Sequence, residues 1–368
     1  MLFNWQQDDW PEFRYRTDGL TELLLGLADH AGRVGGFLEG LPEELGTEAA
    51  LDLMISEAIR TSAIEGETLK PDAVMSSIRN HLGLNAVAQP VGSRLADGAG
   101  KLMVAVRNSF KEPLSEETLL RWHRMLLDGT TDLRVGAWRK GSDPMQVVSG
   151  RIDEPTVHFE APPAARVPLE MERFIAWFNA TAPGSKDAIP HAPIRSAVAH
   201  LYFESIHPFE DGNGRIGRAL SEKALSQGLG RPVVMSLSHT IDEKRSKYYA
   251  ALKSAQRSNE ITSWIDWFVG VVVEAQKDAE SQIRFLLQKS KFFQRLESIL
   301  NERQLKVLRR MFEAGPAGFT GGMNARKYVA LTGASKATAT RDLQYLAELG
   351  ALVSLGGGRS TRYELALD

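Results

Sequence analysis

Apolar residues recur at spacings of three and four along most of the chain, which is the periodicity of amphipathic helices. Clusters of Pro and Gly separate these runs from one another. The pattern therefore predicts a mainly α-helical fold. The predicted helical runs are residues 20–27, 51–59, 119–127, 169–178, 194–203, 215–225, 248–255 and 261–276.

The stretch between Gly136 and Phe159 departs from this pattern. Residues 145–148 and 156–159 have the character of short strands, and the turn-rich residues 149–155 between them predict a hairpin. A short hairpin on a helical body is not stable by itself and exposes an unpaired strand edge. It is therefore either a minor structural ribbon or a flap that receives an extended segment of another protein by strand addition.

The chain changes character again after Ser281. A connecting helix is followed by three helices and a hairpin with a glycine-rich tip. This order resembles a winged helix-turn-helix module, in which residues 335–343 would be the recognition helix. The predicted elements, in order, are 282–296, 304–312, 324–331, 335–349, 350–355 and 361–365.

The composition is that of a globular protein. The chain has 368 residues, of which 43% are hydrophobic and 24% charged, and this length favours two or three domains. It contains no cysteine, which excludes disulfides, thiolate metal sites and cysteine nucleophiles. The first residues lack the basic and apolar regions of a signal peptide, and the most apolar window, residues 267–273, is too short to cross a bilayer. The sequence therefore predicts a cytoplasmic protein without membrane contact.

Charge is distributed unevenly along the chain. The net charge of −2 argues against nucleic-acid binding by the whole molecule. Residues 301–368, however, hold ten Lys and Arg against six Asp and Glu, a net of +4, which leaves −6 for the rest. Lys336, Arg341, Arg359 and Arg362 could meet phosphates there. Winged helices also serve as protein-docking and dimerisation modules, so both DNA contact and protein docking stay open.

The most informative segment is residues 207–218, which read His-Pro-Phe-Glu-Asp-Gly-Asn-Gly-Arg-Ile-Gly-Arg. The glycines around Asn213 allow a tight turn, so several N–H groups can point at one anion. Arg215 opens the next predicted helix, whose N-terminus carries a positive partial charge. Arg215 and Arg218 are three residues apart and share a helix face, so they can bind the same polyphosphate.

Two further residues of this segment supply the remaining chemistry. Asp211 offers the oxygen ligand that Mg²⁺ prefers, since this ion usually binds one or two carboxylates together with substrate phosphates. His207 could accept a proton from an incoming hydroxyl group near neutral pH. Each residue taken alone is commonly structural, but their order and close spacing favour a phosphate-handling site with its own base.

The pattern His-x-Phe-x-Asp-Gly-Asn-Gly-Arg-x-x-Arg is that of the Fic family, and residues 207–218 match it at every fixed position. The resemblance implies that the chain moves AMP from ATP onto a hydroxyl side chain of a target protein. It implies that His207 is the general base and that Asp211 is the Mg²⁺ ligand. The residues that it assigns to ATP and phosphate binding are Gly212, Asn213, Gly214, Arg215 and, for the γ-phosphate, Arg218.

The resemblance extends beyond this motif. Residues 122–127 look like an earlier helix of the family core. Residues 247–252 look like the helix that shapes the nucleoside end of the pocket, which makes Tyr248 and Tyr249 candidates to pack near adenine. The family also has a flap beside its active site, which favours residues 145–159 as the place where target proteins dock.

A second segment of interest runs from Thr47 to Gly66. Thr47 is suited to be an N-cap, the apolar positions that follow share one face, and Gly66 is suited to stop a helix. Glu65 falls on the inward stripe, where a carboxylate meets the negative end of the helix dipole and needs a cationic partner. An exposed position at the helix end is the other interpretation of Glu65.

Residues 61–66, Thr-Ser-Ala-Ile-Glu-Gly, match the Ser/Thr-x-x-x-Glu-Gly/Asn inhibitory motif of Fic proteins. Its position before the catalytic segment resembles the class whose inhibitory helix lies in the N-terminal part of the same chain. The resemblance implies that Glu65 pairs with Arg218 and occupies the arginine that should hold the γ-phosphate. It also counts Glu65 among the residues of the ATP site.

We therefore predict an N-terminal helical domain over residues 1–95 with an inhibitory helix at about 47–66, a Fic catalytic core over 96–280, and a connecting helix with a winged-helix domain over 281–368. The predicted function is an autoinhibited protein adenylyltransferase that uses ATP and Mg²⁺ to modify Tyr, Thr or Ser of a target protein or of itself. Two alternatives remain: a DNA-binding regulator whose core senses a nucleotide, and removal of AMP at the same site with Glu65 positioning water. The target, the activating signal and a homodimer stay open.

Overall fold

Helices make up most of the structure, a computed structural model that describes residues 2–151 and 154–367. The described part contains fourteen α-helices and two antiparallel hairpins, so the predicted mainly α-helical fold is confirmed. The helices are α1 Thr21–Glu39, α2 Glu43–Ile64, α3 Pro71–His81, α4 Arg94–Asn108, α5 Glu116–Leu126, α6 Val167–Ala180, α7 Ala192–Ile206, α8 Asn213–Leu229, α9 Leu237–Glu243, α10 Arg245–Ala255, α11 Thr262–Leu296, α12 Glu302–Phe312, α13 Ala325–Thr332 and α14 Lys336–Glu348. The strands are β1 Gln146–Arg151, β2 Glu154–Glu160, β3 Leu352–Leu355 and β4 Arg362–Leu365.

The chain folds into two compact units. The first contains the residues up to His30 together with Ala50–Lys277, and the second contains Ala31–Ala49 together with the chain from Asp278 onward. The sequence predicts two helices around residue 280, and this is wrong: α11 is one helix of 35 residues, because no Pro or Gly interrupts it after Gly270. The predicted division into three domains stays a prediction.

Helix α7 lies at the centre of the first unit. Its sequence is apolar on nearly every side, and all residues from Pro193 to Ile206 are buried, as expected of a helix that packs in the interior. Helix α8 follows after a short turn and packs along α7. Side chains of α4, α5 and α6 surround the pair. The buried core residues include Leu102, Trp122, Phe174, Phe203 and Ile216.

Helix α2 begins earlier than the sequence predicts. Thr47 lies inside the helix and is not its N-cap, because the carbonyl oxygen of Pro42 accepts the first helical N–H, from Gly46 at 3.0 Å. Glu43 and Glu44 fill the first turn, where acidic side chains meet the positive end of the helix dipole favourably. The helix that carries the predicted inhibitory motif is therefore longer than expected at its N-terminal end.

The C-terminal end of α2 follows the prediction. The last helical residue is Ile64, and Gly66 adopts a left-handed φ of 85° while its N–H donates to the carbonyl oxygen of Ala63 at 3.0 Å. A glycine adopts this conformation without steric penalty, so the predicted helix stop is confirmed. Glu65 lies between the helix and this turn.

The first hairpin is longer than predicted. Strands β1 and β2 pair as far as Arg151 opposite Glu154, so the predicted turn of residues 149–155 is wrong. Backbone pairing in an antiparallel hairpin continues up to a short connection, and strand pairing overrides the turn propensity of the residues in between. Residues 152 and 153 lie outside the described part of the chain.

Two glycines inside α4 allow neighbouring helices to approach it closely. A Cβ atom on Gly98 would overlap the carbonyl oxygen of Met125 on α5, and one on Gly100 would overlap Oγ of Ser77 on α3. Glycine lowers the intrinsic stability of a helix interior. Close packing against α3 and α5 therefore explains these two residues, since packed cores leave no room for an additional methyl group.

The second unit contains α12, α13, α14 and the hairpin β3–β4, in the order that the sequence predicts. Ser335 caps α14, because its Oγ accepts a hydrogen bond from the Thr338 N–H at 3.2 Å. The three helices and the hairpin share one core. Its buried residues include Leu308, Met311, Tyr328, Leu346 and Leu352.

Replacing Gly98 by Ala is expected to lower the free energy of unfolding by roughly 1–3 kcal/mol, because the new methyl group meets a backbone carbonyl that can move only if α4 and α5 separate. Chemical unfolding in urea, followed by circular dichroism, measures the change. A Gly98→Ala variant as stable as the wild type would contradict this account of the packing.

Gly26→Ala is the matched control for this experiment. Gly26 is also a helical glycine of the first unit, and nothing lies within 4 Å of the position that its Cβ would take. Alanine there is expected to raise the free energy of unfolding by about 0.5–1 kcal/mol, because it restricts the unfolded chain without meeting a neighbour.

Candidate active site

The turn between α7 and α8 places His207 at the end of a buried helix. His207 has φ 50° and ψ 61°, and it is the only non-glycine residue of the described chain with a positive φ. Arg139 holds this turn: its Nε donates to the His207 carbonyl oxygen at 2.8 Å and its Nη2 donates to that of Pro162 at 2.5 Å. Residues with side chains rarely adopt this conformation, and those that do are concentrated at functional sites.

The His207 ring is neutral and nearly buried, with 14% of its side chain exposed. Its Nδ1 is buried, has no hydrogen-bond partner among the described residues, and lies 3.7 Å from Oε2 of Glu204. Burial, followed by the charge of Arg139, lowers the pKa of His207 to about 4. A neutral imidazole can accept a proton, which is the first requirement of a general base.

Asn213 closes the loop that follows His207. Its buried side chain accepts a hydrogen bond from the Phe209 N–H at 3.0 Å and donates one to the Phe209 carbonyl oxygen at 2.9 Å. These bonds use one acceptor site and one of the two N–H donors of the amide. The predicted role of Asn213 in phosphate binding stays a prediction.

His123 supports the same loop, although no signal in the sequence assigned it this role. Its ring stacks on Phe209 with centroids 4.0 Å apart. Nδ1 accepts a hydrogen bond from the Gly136 N–H at 2.7 Å, so Nε2 carries the ring proton and donates to the Asp211 carbonyl oxygen at 3.1 Å. Burial lowers the pKa of His123, which keeps this neutral tautomer at neutral pH.

The N-terminus of α8 has the geometry of an anion site. Gly212 adopts a φ of 81° and precedes the first turn, which contains the backbone N–H groups of Asn213, Gly214 and Arg215. N–H groups in this position have no acceptor within their own helix and bind anions readily. The carboxylate of Glu65 lies against this turn, where a Cβ atom on Gly214 would overlap its Oε1. A methyl group at position 214 would therefore force this carboxylate to shift.

Arg218 is buried and bonded to the end of α2. Its Nε donates to Thr61 Oγ1 at 2.7 Å, and its Nη2 donates to the Thr61 carbonyl oxygen at 2.9 Å and to Glu65 Oε1 at 2.7 Å. Burial lowers the pKa of Arg218, but Glu65, Tyr248 and Glu204 together outweigh burial and the net shift is upward. Arg218 and Glu65, which the sequence predicted as partners, therefore form a charged pair in the structure.

Arg215 is also buried and lies between two carboxylates. Its Nη1 donates to Glu67 Oε2 at 2.6 Å, and its Nη2 donates to Asp211 Oδ2 at 3.2 Å. Glu67 was not among the predicted site residues, because nothing in the sequence links position 67 to position 215. The short segment after α2 thus supplies a carboxylate to each of the two arginines of the motif.

A cavity of about 480 Å³ adjoins these groups. His207, Gly214 and Glu65 line it, and so do the predicted nucleoside-site residues Tyr248 and Tyr249. Residues of the hairpin β1–β2 also line this cavity. The remaining lining residues include Val147, Val148, His158, Phe159, Glu204 and Gln256.

The two tyrosines differ in their surroundings. Tyr248 is buried, and its hydroxyl group lies 2.9 Å from Nε2 of His200 on α7. Tyr249 is exposed, and its hydroxyl group donates to the Ile64 carbonyl oxygen at 3.2 Å. Tyr249 therefore contacts the end of α2, while Tyr248 anchors α10 to the core. Their predicted packing near adenine stays a prediction.

Asp211 is the carboxylate predicted to hold Mg²⁺. Its Oδ1 accepts a hydrogen bond from the Gly212 N–H at 2.6 Å, and half of its side chain, 50%, is exposed. Within residues 2–151 and 154–367, no three Asp, Glu, His or Cys side chains form a group that could hold a metal ion. A single exposed carboxylate beside an anion site fits an ion that takes its other ligands from phosphates and water.

Three stretches of the chain match known families. Residues 3–84 match a domain of unknown function, DUF4172. Residues 113–225 match the Fic/DOC family, and this match includes α7 and the turn that carries His207. Residues 320–366 match the C-terminal domain of DIP2311-like transcriptional regulators.

Curated relatives carry the name protein adenylyltransferase Fic. The Aedes aegypti protein is 24% identical over 214 residues, which cover 57% of this chain and 39% of the relative. The Drosophila melanogaster protein is 29% identical over 149 residues, which cover 40% of this chain and 26% of the relative. The chain therefore spans about two fifths or less of the length of these relatives.

Solved structures share the fold. A Fic family protein from Desulfovibrio desulfuricans superposes with a TM-score of 0.56 at 21% identity, covering 97% of this chain and 98% of that one. A Fic domain containing signaling protein from Bacteroides thetaiotaomicron gives a TM-score of 0.53 at 18% identity, covering 70% of this chain and 97% of that one.

None of the helices in the described ranges has the length and apolar character that a membrane span requires.

His200, buried on α7, makes the stability of the fold depend on pH. Burial lowers the pKa of His200 from 6.5 to about 3, so between these values the unfolded chain binds a proton that the folded protein does not. The contribution of His200 to the free energy of unfolding is therefore lost progressively as the pH falls from about 6.5 towards about 3. Replacing His200 by Gln is expected to reduce the slope of the unfolding free energy against pH by up to about 1.4 kcal/mol per pH unit.

Urea unfolding at a series of pH values between about 4.5 and 6.5 measures this slope. The matched control is His191→Gln, which changes an exposed histidine and is expected to leave the slope unaltered. Identical slopes for the wild type and the His200→Gln variant would show that His200 is not held neutral by the fold.

Proposed function

Residues 113–225 are a Fic/DOC family domain, and on this premise we propose that the protein transfers AMP from ATP to a hydroxyl side chain of a target protein. The name of the curated relatives, protein adenylyltransferase, supports this reaction. The acceptor is Tyr, Thr or Ser of another protein or of this chain. In the conformation of this structure, Glu65 restrains the reaction.

The observation that carries the proposal is a neutral histidine beside an anion site. His207 lines the same cavity as Gly214, which lies in the first turn of α8, and Arg218 lies one turn further along that helix. A nucleotide whose phosphates bind the N-terminus of α8 would lie within reach of the exposed edge of the His207 ring.

The reaction needs one proton transfer and one displacement. Nε2 of His207 takes the proton of the target hydroxyl group, whose oxygen bonds to the α-phosphorus of ATP. The bond from this phosphorus to the oxygen that bridges it to the β-phosphorus breaks, and pyrophosphate leaves. The N–H groups of α8 and the side chain of Arg215 neutralise phosphate charge, and positioning with charge neutralisation supplies most of the acceleration in such chemistry. Asp211 would hold Mg²⁺, which adds further neutralisation.

Glu65 restrains the enzyme because it occupies two positions that a triphosphate needs. Its carboxylate lies against the first turn of α8 and is bonded to Arg218. Glu67 holds Arg215 in the same manner. Both carboxylates belong to the short segment after α2, so displacement of this segment would free Arg218 from its charged partner and leave Arg215 with Asp211 alone. A ligand drives such a change only by binding the displaced state more tightly.

The hairpin β1–β2 is the proposed docking place for target proteins. Val147, Val148 and Val157 are exposed on it, and the first two also line the cavity of His207. Within the described residues, β1 pairs only with β2, so its other edge has unpaired backbone groups. An extended peptide could add a strand there and bring a hydroxyl side chain to the cavity.

The second unit supports a second candidate, a DNA-binding regulator in which the first unit senses a nucleotide. Lys336 and Arg341 are exposed on α14, the predicted recognition helix, and Arg362 is exposed on β4. The side chain of Arg359 lies outside the described part of the chain. Incubation with labelled ATP separates the candidates, because a sensor would bind the nucleotide without transferring AMP covalently.

Replacing Glu65 by Gly is expected to raise AMP transfer at least about tenfold, because the variant loses the ion pair that favours the restrained state. A contribution of about 1.4 kcal/mol from this ion pair corresponds to a tenfold change in the ratio of the two states. Mass spectrometry of lysate proteins treated with the variant and labelled ATP measures the transfer. The double variant Glu65→Gly/His207→Ala is the control and should be inactive. A folded Glu65→Gly protein no more active than the wild type would refute the proposed restraint.

Replacing Glu67 by Gln is expected to raise AMP transfer by a smaller factor than Glu65→Gly and to add to it, because only Arg215 loses a charged partner. The same labelling assay compares the single and double variants. Glu117→Gln on α5, which removes the charge of an exposed glutamate outside the site, is the matched control. A double variant that is no more active than Glu65→Gly alone would contradict a role of Glu67 in the restraint.

A further inference from the structure

Glu204 is a buried carboxyl group that the reaction described above does not use. It lies in the last turn of α7, one turn before His207, and it lines the same cavity. Oε1 has no hydrogen-bond partner among the described residues, while Oε2 lies 3.7 Å from His207 Nδ1. The C-terminal end of a buried helix is unfavourable for a carboxylate, so packing alone does not explain a glutamate at this position.

The charged and titratable groups around Glu204 come from four parts of the first unit. Burial, followed by the charge of Glu65, raises the pKa of Glu204 to about 8, and Arg218 opposes this rise. At neutral pH the carboxyl group is therefore mostly protonated while Glu65 remains in place. The surrounding groups are His200 on α7, His207 after α7, Glu65 after α2, Arg218 on α8 and Tyr248 on α10.

We propose that Glu204 positions the base His207 for the transfer reaction, an inference that rests on the proposed function. In its ionised form, Glu204 accepts a hydrogen bond from Nδ1–H of His207, which leaves the lone pair on Nε2 to take the proton of the target hydroxyl group. After the transfer, the same carboxylate stabilises the imidazolium. This hydrogen bond requires Oε2 to approach Nδ1 more closely than the 3.7 Å of the present structure.

The protonated form of Glu204 has the opposite effect. Its O–H donates to Nδ1, so the ring proton resides on Nε2 and the lone pair faces away from the substrate. A histidine in the wrong tautomer loses most of its activity as a base. Because the Glu65 carboxylate disfavours a second negative charge on Glu204, the restrained conformation holds the base in its unproductive tautomer and also occupies Arg218.

The test uses Glu65→Gly as the active parent and adds Glu204→Gln. Initial rates of AMP transfer from labelled ATP are measured against pH from about 5 to 9. We expect Glu204→Gln to lower kcat roughly ten- to a hundredfold with little change in the KM for ATP, and to remove the rise of kcat with pH that ionisation of Glu204 produces. Glu204→Asp, which retains a titratable group, should restore part of this rise.

Glu222→Gln is the matched control. Glu222, on α8, is another carboxyl group whose pKa burial raises to about 8, but it faces Glu57 and Arg107 and does not line the cavity of His207. Its substitution should leave kcat and the pH profile unaltered. A folded Glu204→Gln variant with unchanged kcat, or with a lower kcat and the pH profile of the parent, would overturn the positioning role.

A second measurement does not depend on activity. Nitrogen chemical shifts of the His207 ring distinguish its tautomers, and we expect the proton on Nδ1 in Glu65→Gly at high pH and on Nε2 when Glu204→Gln is added. The same tautomer in both proteins would overturn the inference. If the parent were inactive but the tautomer still changed, only the proposed AMP transfer would be refuted. The pairing of Glu204 with His207 would remain supported.

Discussion

The side-chain amide of Asn213 is the interaction on which the geometry of the site depends. Its two hydrogen bonds to Phe209 join the start of α8 to the residues that directly follow His207. His123 stacks on the other side of this loop and binds the Asp211 carbonyl oxygen, while Arg139 holds the left-handed turn. The proposed base and the anion site are therefore joined by direct contacts of the same short loop, which fixes where one lies relative to the other.

The two buried guanidinium groups of the motif have anionic partners, and this pairing links the proposed restraint to the proposed reaction. Arg215 and Arg218 are held by Glu67, Asp211 and Glu65 in the present conformation. A triphosphate would offer the same arginines the same kind of charge. A triphosphate that replaced the carboxylates would keep both charges paired, which favours the exchange of one anion for the other. The proposed restraint and the proposed binding of a triphosphate thus depend on the same two positive charges.

The sequence predicted the features that depend on residues close together in the chain. Periodicity located the central helices α7 and α8, and the segment 207–218 named most of the groups at the proposed site. Contacts between distant positions carry no local signal: His123 meets Asp211, and Glu67 meets Arg215, only after the chain has folded. The N-terminal end of α2 and the length of α11 were missed because capping by a preceding carbonyl and uninterrupted helical packing override the propensities of single residues.

The absence of a side chain at position 214 makes this position sensitive to a single mutation. Glycine codons become alanine codons by one base change, and a methyl group at this position would overlap the carboxylate of Glu65. That carboxylate is the end of a flexible side chain, so it would have to move away from the first turn of α8 to admit the methyl group. One base change in codon 214 would therefore disturb the closed arrangement while Glu65, Arg218 and His207 all remain in the sequence.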